Sequence, residues 1–292
     1  MELLQTVILG LLIGGVYALL AAGLTLIFGV MNVINIAHGA FLILAAFVTW
    51  TLWDRTGLDP LAAVLITTPL MFGFGWLLYN ATIRPIRKAP PSASVLLTFS
   101  LALVLEGIMG LAWGNTSHAV RAPYFDESFG IGEIFLPKAQ VYGCLLAIGV
   151  LLGLWVFLTR TWTGRAIRAS AVNPQGAELV GVNVAGVAAM TFAVGVAVTG
   201  AGGSIVSVLY PFLPGSHYVW ISRLLGIIVL GGMGSLPGAI AGALLIGVAE
   251  TMTTTYIGPE WATAVPFVVI FAVLLARPQG LLGARLREDV AL

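Results

Sequence analysis

The sequence predicts an all-α, polytopic transmembrane helical bundle of about eight spans, in two related halves with broken helices. Composition is the first reason. Of 292 residues, 59% are hydrophobic and 9% charged, whereas soluble domains carry about 25% charged residues. Mean hydropathy is +1.04. Second, the apolar residues fall in runs close to the ~20 residues that cross a hydrocarbon core. Third, two of those runs are interrupted by glycine-rich turns of similar pattern.

The runs are, in order, Leu3–Phe28, Ile36–Trp53, Pro60–Ile83, Val95–Trp113, Val141–Leu158, Val184–Leu209, Leu224–Ile257 and Trp261–Ala276. The first is read as a span rather than a cleaved leader, because Glu2 precedes it without a basic segment. The seventh is too long for one helix and is broken by GGMGSLPG, Gly231–Gly238. Tryptophan and tyrosine gather at run ends (Trp50, Trp53, Trp113, Tyr142, Trp162, Trp220, Tyr256, Trp261), where interfacial rings sit. Gly10/Gly14, Gly149/Gly153 and Gly238/Gly242 are small-residue pairs suited to close helix packing. Cys144 is the single cysteine and forms no intrachain disulfide.

Basic residues set the orientation. Arg84, Arg87 and Lys88, then Arg160, Arg165 and Arg168, then Arg277, Arg285 and Arg287 occupy loops that consistent threading places in the cytoplasm, with the C-terminus. The 114–138 loop, with Asp126, Glu127 and Glu133, falls outside. The side of the N-terminus stays open. A net charge of +1 spread over short loops gives no nucleic-acid surface.

The first helix break, Phe28–Ala40, places Asn32, Asn35 and His38 at spacings of three, which would put them on one helical face. They either bond neighbouring helices or line a pathway, since irregular backbone at membrane depth survives only against protein or water. The second break, with Gly232, Gly234 and Ser235, lacks the lysine of a phosphate loop and is read as its counterpart. A repeated break of this kind points to a transporter of two related halves. Of two intramembrane acids, Glu250 is expected to reach an interface and Glu106 to point into the bundle, as structure or pathway.

The polar stretch 160–183 is a basic loop with a predicted shape. Thr163 is expected to cap a short helix carrying Arg165 and Arg168; Asn173, before Pro174, ends it and caps a second helix that Gly181 stops. It serves either as a connector at lipid headgroups or as a handle for an ATPase. The chain has no nucleotide, nucleophile–base, zinc or haem signature, so no enzymatic activity, cofactor or metal is expected. A transporter without its own energy module exploits a gradient or borrows an ATPase, and the basic loop favours borrowing.

Three long segments, GLTLIFGVMNVINIAHGAF (Gly23–Phe41), TGRAIRASAVNPQGAELVGVN (Thr163–Asn183) and VLGGMGSLPGAIAGALLIGVAE (Val229–Glu250), resemble the permeases of branched-chain amino acid ABC importers, of the shorter H-type. Arg223 stands where relatives often carry Lys. The resemblance implies a single permease domain over 1–292 in a bacterial cytoplasmic (inner) membrane. It implies a second permease (paralogue or another copy), two cytoplasmic ATPases and an external substrate-binding protein as partners, besides membrane lipid. It implies a coupling segment including Gly164, Arg165, Arg168, Ala169, Asn173, Glu178, Leu179 and Gly181. It also places Asn32–Gly39 near the translocation path; the residues themselves add Gly232, Gly234 and Ser235 of the second break and the intramembrane Glu106 as further candidates. Alternatives are a permease for urea or amides, a self-sufficient channel or carrier, or a structural scaffold, which explains neither break.

Overall fold

The computed structural model describes residues 2–86, 90–277 and 279–282. Arg87, Lys88, Arg285 and Arg287, invoked above for orientation, lie outside them. The first long helix, α1 (Glu2–Met31), is buried almost all round from Gly14 to Ile27, as a helix apolar on every face should be. A non-helical stretch follows. Then come α2 (His38–Thr56), α3 (Val64–Leu78, continued by a π turn to Ile83) and α4 (Pro91–Trp113). The 114–137 segment carries an antiparallel hairpin, β1 (Ser128–Ile131) with β2 (Ile134–Pro137). This hairpin is a small addition to an otherwise helical architecture.

Next are α5 (Lys138–Arg160), α6 (Trp162–Val172), α7 (Pro174–Leu179), α8 (Val184–Leu209), α9 (His217–Gly231), α10 (Leu236–Tyr256), the short α11 (Pro259–Ala262) and α12 (Val265–Ala276). Among the described residues, six helices are long and apolar enough to cross a membrane: α1, α3 with its π turn, α4, α5, α8 and α10. Helices α1 and α8 form the centre, while α4 turns Leu103, Ile108 and Leu111 outward, Leu111 being 92% exposed. In a bilayer such faces meet lipid or a partner at no hydrophobic cost.

The glycine pairs divide. A methyl group on Gly10 would meet Val248 Cα at 2.6 Å and one on Gly14 would meet Leu244 Cα at 2.8 Å, so α1 and α10 touch backbone to backbone. Gly238 and Gly242 likewise face Gly231 and Ile227 of α9. Gly149 and Gly153 meet nothing within 4 Å among the described residues, so they do not pack against another helix of this chain there.

Contacts sort the connections into two ends. At one end Gln5 Nε2 donates to Phe135 O of the hairpin (3.2 Å), Val120 N donates to Ser207 O (3.0 Å), and His118 and Phe212 exchange backbone bonds. At the other end Gly29 stands against Gly234, and Leu281 N donates to Leu230 O (2.8 Å). The beginning of α1 thus lies with the acidic hairpin. Both helix breaks, the 161–183 loop and the segment after α12 lie opposite.

Candidate functional site

The first break begins where α1 runs out. Asn32 adopts a left-handed conformation (φ 50°), which asparagine tolerates better than most residues, and the helix resumes only at His38. The unwound backbone is satisfied by protein: Thr98 Oγ1 of α4 accepts from Ile36 N (3.2 Å) and lies 3.3 Å from Ile34 O. Backbone that leaves a helix away from water requires partners of this kind. Because residues 32–37 are not helical, the three polar side chains do not share a helical face. Asn32 is exposed beside a 280 Å³ cavity with Tyr79 and Val184. Asn35 is fully buried, its amide without a hydrogen-bond partner among the described residues. His38 is buried in the core, Nε2 2.9 Å from Thr199 Oγ1 and 3.3 Å from Leu20 O. Gly39 lets α2 reach α9, since a methyl group there would strike His217 O at 2.5 Å.

The second break closes α9. Gly232 (φ 98°) and Gly234 (φ 83°) take backbone angles that favour glycine. Ser235 then caps α10, its Oγ accepting from Gly238 N at 3.2 Å. Carbonyls left over at the end of α9 receive Leu281 N and Leu282 N, which answers the orphaned acceptors of a helix terminus. The two breaks adjoin: a methyl group on Gly29 would sit 3.4 Å from Gly234 O.

A 310 Å³ cavity at this junction is lined by Thr25 and Gly29 of α1, Trp155 of α5, Ile167 and Arg168 of α6, and Gly234. The basic loop is therefore seated against both breaks. Its first helix is capped by Thr161, whose Oγ1 accepts from Gly164 N at 3.0 Å, rather than by Thr163 as expected. Gly164 has no room for a side chain, because a methyl group would overlap Phe157 O at 2.1 Å. Asn173 ends α6 and caps α7, accepting from Gly176 N at 2.9 Å. Gly181 (φ 84°) stands past the end of α7. Arg165, Arg168, Ala169, Glu178 and Leu179 are exposed. So are Val172 and Val180, which gives the bent pair an outward surface that is both apolar and basic.

Glu250 departs from its expected place at an interface, while Glu106 bridges to the neighbouring α9. Glu250 is buried, bound by Arg223 Nε (2.9 Å) and Tyr17 Oη (2.7 Å). Glu106 is 29% exposed and is held from α9 by His217 Nε2 (3.1 Å) and Tyr218 Oη (2.9 Å), at the hairpin end and away from the breaks. Counting residues from the nearest tryptophan or tyrosine does not reveal which side of a helix an acid occupies. The cation that holds Glu250 is Arg223 of α9. Its signal was present: a lone cation in the apolar run YVWISRLLGIIVL is costly without a partner. Among the described residues, no group of three His, Cys, Asp or Glu could hold a metal ion.

Residues 6–274 match the family described as branched-chain amino acid transport system / permease component. The chain is 30% identical over 294 residues to the high-affinity branched-chain amino acid transport system permease protein BraD of Pseudomonas aeruginosa, covering 96% of this chain and 95% of that one. It is 29% identical to LivH of Salmonella typhimurium, over the same shares. It is 23% identical to the fructose import permease protein FrcC of Rhizobium meliloti, over 83% of this chain and 69% of the other. No solved structure matches.

Proposed function

The chain belongs to the family of branched-chain amino acid transport system permease components, and from that premise we propose that it is the membrane subunit of an ATP-driven importer of branched-chain or related amino acids. The observation that carries the coupling half of this reading is the shared cavity. Helix α6 of the basic loop, the last turns of α1 before the first break, and the second break meet around Arg168, Gly29 and Gly234, so a push on α6 reaches both interrupted helices without an intermediary. An ATPase would engage the exposed Arg165, Arg168, Leu179 and Val180. The basic end is then cytoplasmic, with the C-terminal segment, and α1 begins outside. The shorter α2, α9 and α12 supply further passes beyond the six long spans. The paired breaks, each interrupting a helical run and standing against one another at Gly29 and Gly234, support a reading as two related halves. The second permease, two ATPases and external binding protein complete the assembly.

The test is uptake of labelled leucine by proteoliposomes holding this chain, its partner permease and ATPases, with binding protein on the other side. Uptake should require ATP. Uptake that persists without the ATPases would show a self-sufficient carrier instead. Arg168→Glu should release the ATPases, because reversing one partner of a buried interfacial charge pair costs about 2–5 kcal/mol. Normal co-purification and normal uptake by that variant would remove the loop from the coupling route.

A further inference from the structure

Arg223 lies two turns inside the hairpin end of α9 and its side chain is 14% exposed. Glu250 occupies its Nε, and the guanidinium carbon sits 5.1 Å from the ring centres of both Tyr17 and Trp220. The group is thereby fixed in orientation. Its terminal nitrogens, which carry four N–H donors, make no hydrogen bond among the described residues. Arg223 also lines a 250 Å³ cavity between α9 and α12, with Tyr218, Val219 and Ser222 on one wall and Pro266 and Phe267 on the other. One immobilised cationic fork stands beside an apolar wall, and both neighbouring hydroxyls are spent, Tyr218 Oη on Glu106 and Ser222 Oγ on Tyr218 O. A guanidinium edge of this kind matches a carboxylate with two parallel bonds, and the wall suits an aliphatic side chain.

We propose that Arg223 anchors the α-carboxylate of an apolar amino acid in a substrate subsite between α9 and α12, with Val219, Pro266 and Phe267 receiving the side chain. The proposal rests on the importer reading and names the ligand chemistry of its outward half. Glu250, by contrast, is a positioning residue that holds the guanidinium still.

The experiment uses the whole complex in nanodiscs, with Ser222→Cys on a Cys144→Ala background, and Thr263→Cys on the facing segment as a second probe. A water-soluble thiol reagent should modify either cysteine. L-leucine should protect it and L-leucinamide should not. Arg223→Lys keeps the charge but loses the fork, and should raise the leucine concentration needed for protection about tenfold, the worth of one charge-assisted hydrogen bond. Cysteines that stay unreactive from water would assign the cavity to lipid and overturn the proposal. Equal protection by leucine and leucinamide, or an unmoved midpoint in Arg223→Lys, would overturn it too. ATP-driven leucine uptake is measured in parallel on the unaltered complex: uptake without protection sinks the subsite alone, and absent uptake sinks the importer reading.

Discussion

Among single residues, Glu250 and His38 show how burial separates two kinds of polar group. Glu250 balances Arg223, so Glu250→Ala leaves a guanidinium uncompensated and should cost about 3–5 kcal/mol, read as a large fall in the melting temperature of the detergent-purified permease. Changing both partners, Arg223→Met with Glu250→Leu, should recover most of that loss, because apolar replacements relieve the desolvation of both ions. A double variant no more stable than Glu250→Ala would mean that the ion pair itself holds the helices. His38 makes ordinary interhelical contacts to Thr199 and Leu20. If bonding is its whole role, His38→Ala loses about 0.6 kcal/mol per hydrogen bond and transport keeps its KM; a changed KM with assembly intact places it on the pathway. The presence of these polar residues was readable from the sequence. Their partners were not, since Tyr17 and Glu250 lie more than two hundred residues apart and no local rule joins them.

Between elements, the junction of the two breaks offers a cleaner test than the breaks themselves. A side chain at Gly234 is strained by its positive φ whatever space surrounds it, whereas Gly29 lies within α1 and an added methyl group makes only ordinary contact. Gly29→Ala should therefore transport normally, while Gly29→Leu should fill the gap and stop transport with the complex still assembled. Leucine uptake together with co-purification of the ATPases decides it, and normal uptake by Gly29→Leu would place the constriction elsewhere. The bend in the basic loop was legible in advance because Asn-Pro is a local signal, and Asn173 caps as that signal requires. The cap of α6 was misplaced because Thr161 and Thr163 are equally good caps in isolation; the close approach of Gly164 to the end of α5 selects Thr161. The helical face proposed for Asn32, Asn35 and His38 failed because spacing alone does not register a chain that leaves the helix at Asn32.

For the whole molecule, the two ends should be chemically distinguishable in a cell. On a Cys144→Ala background, Ser117→Cys should react with an impermeant reagent from outside, and Gln175→Cys only after the membrane is opened; both positions are exposed. The reverse pattern would invert the orientation. Class was legible because it depends on a sum over many residues, whereas span count depends on short helices such as α9 and α12 that hydropathy merges with their neighbours. The backbone contact of α1 with α10 has a mechanical consequence. Packed helices slide when a layer of side chains between them can switch rotamers, and Gly10, Gly14 and Gly247 leave no such layer. These two helices form a single strut, clamped along its length, that can tilt but cannot shear. Any stroke delivered at its tip beside the helix breaks must emerge at the far end as rotation, carrying Tyr17, Glu250 and the guanidinium they hold with it.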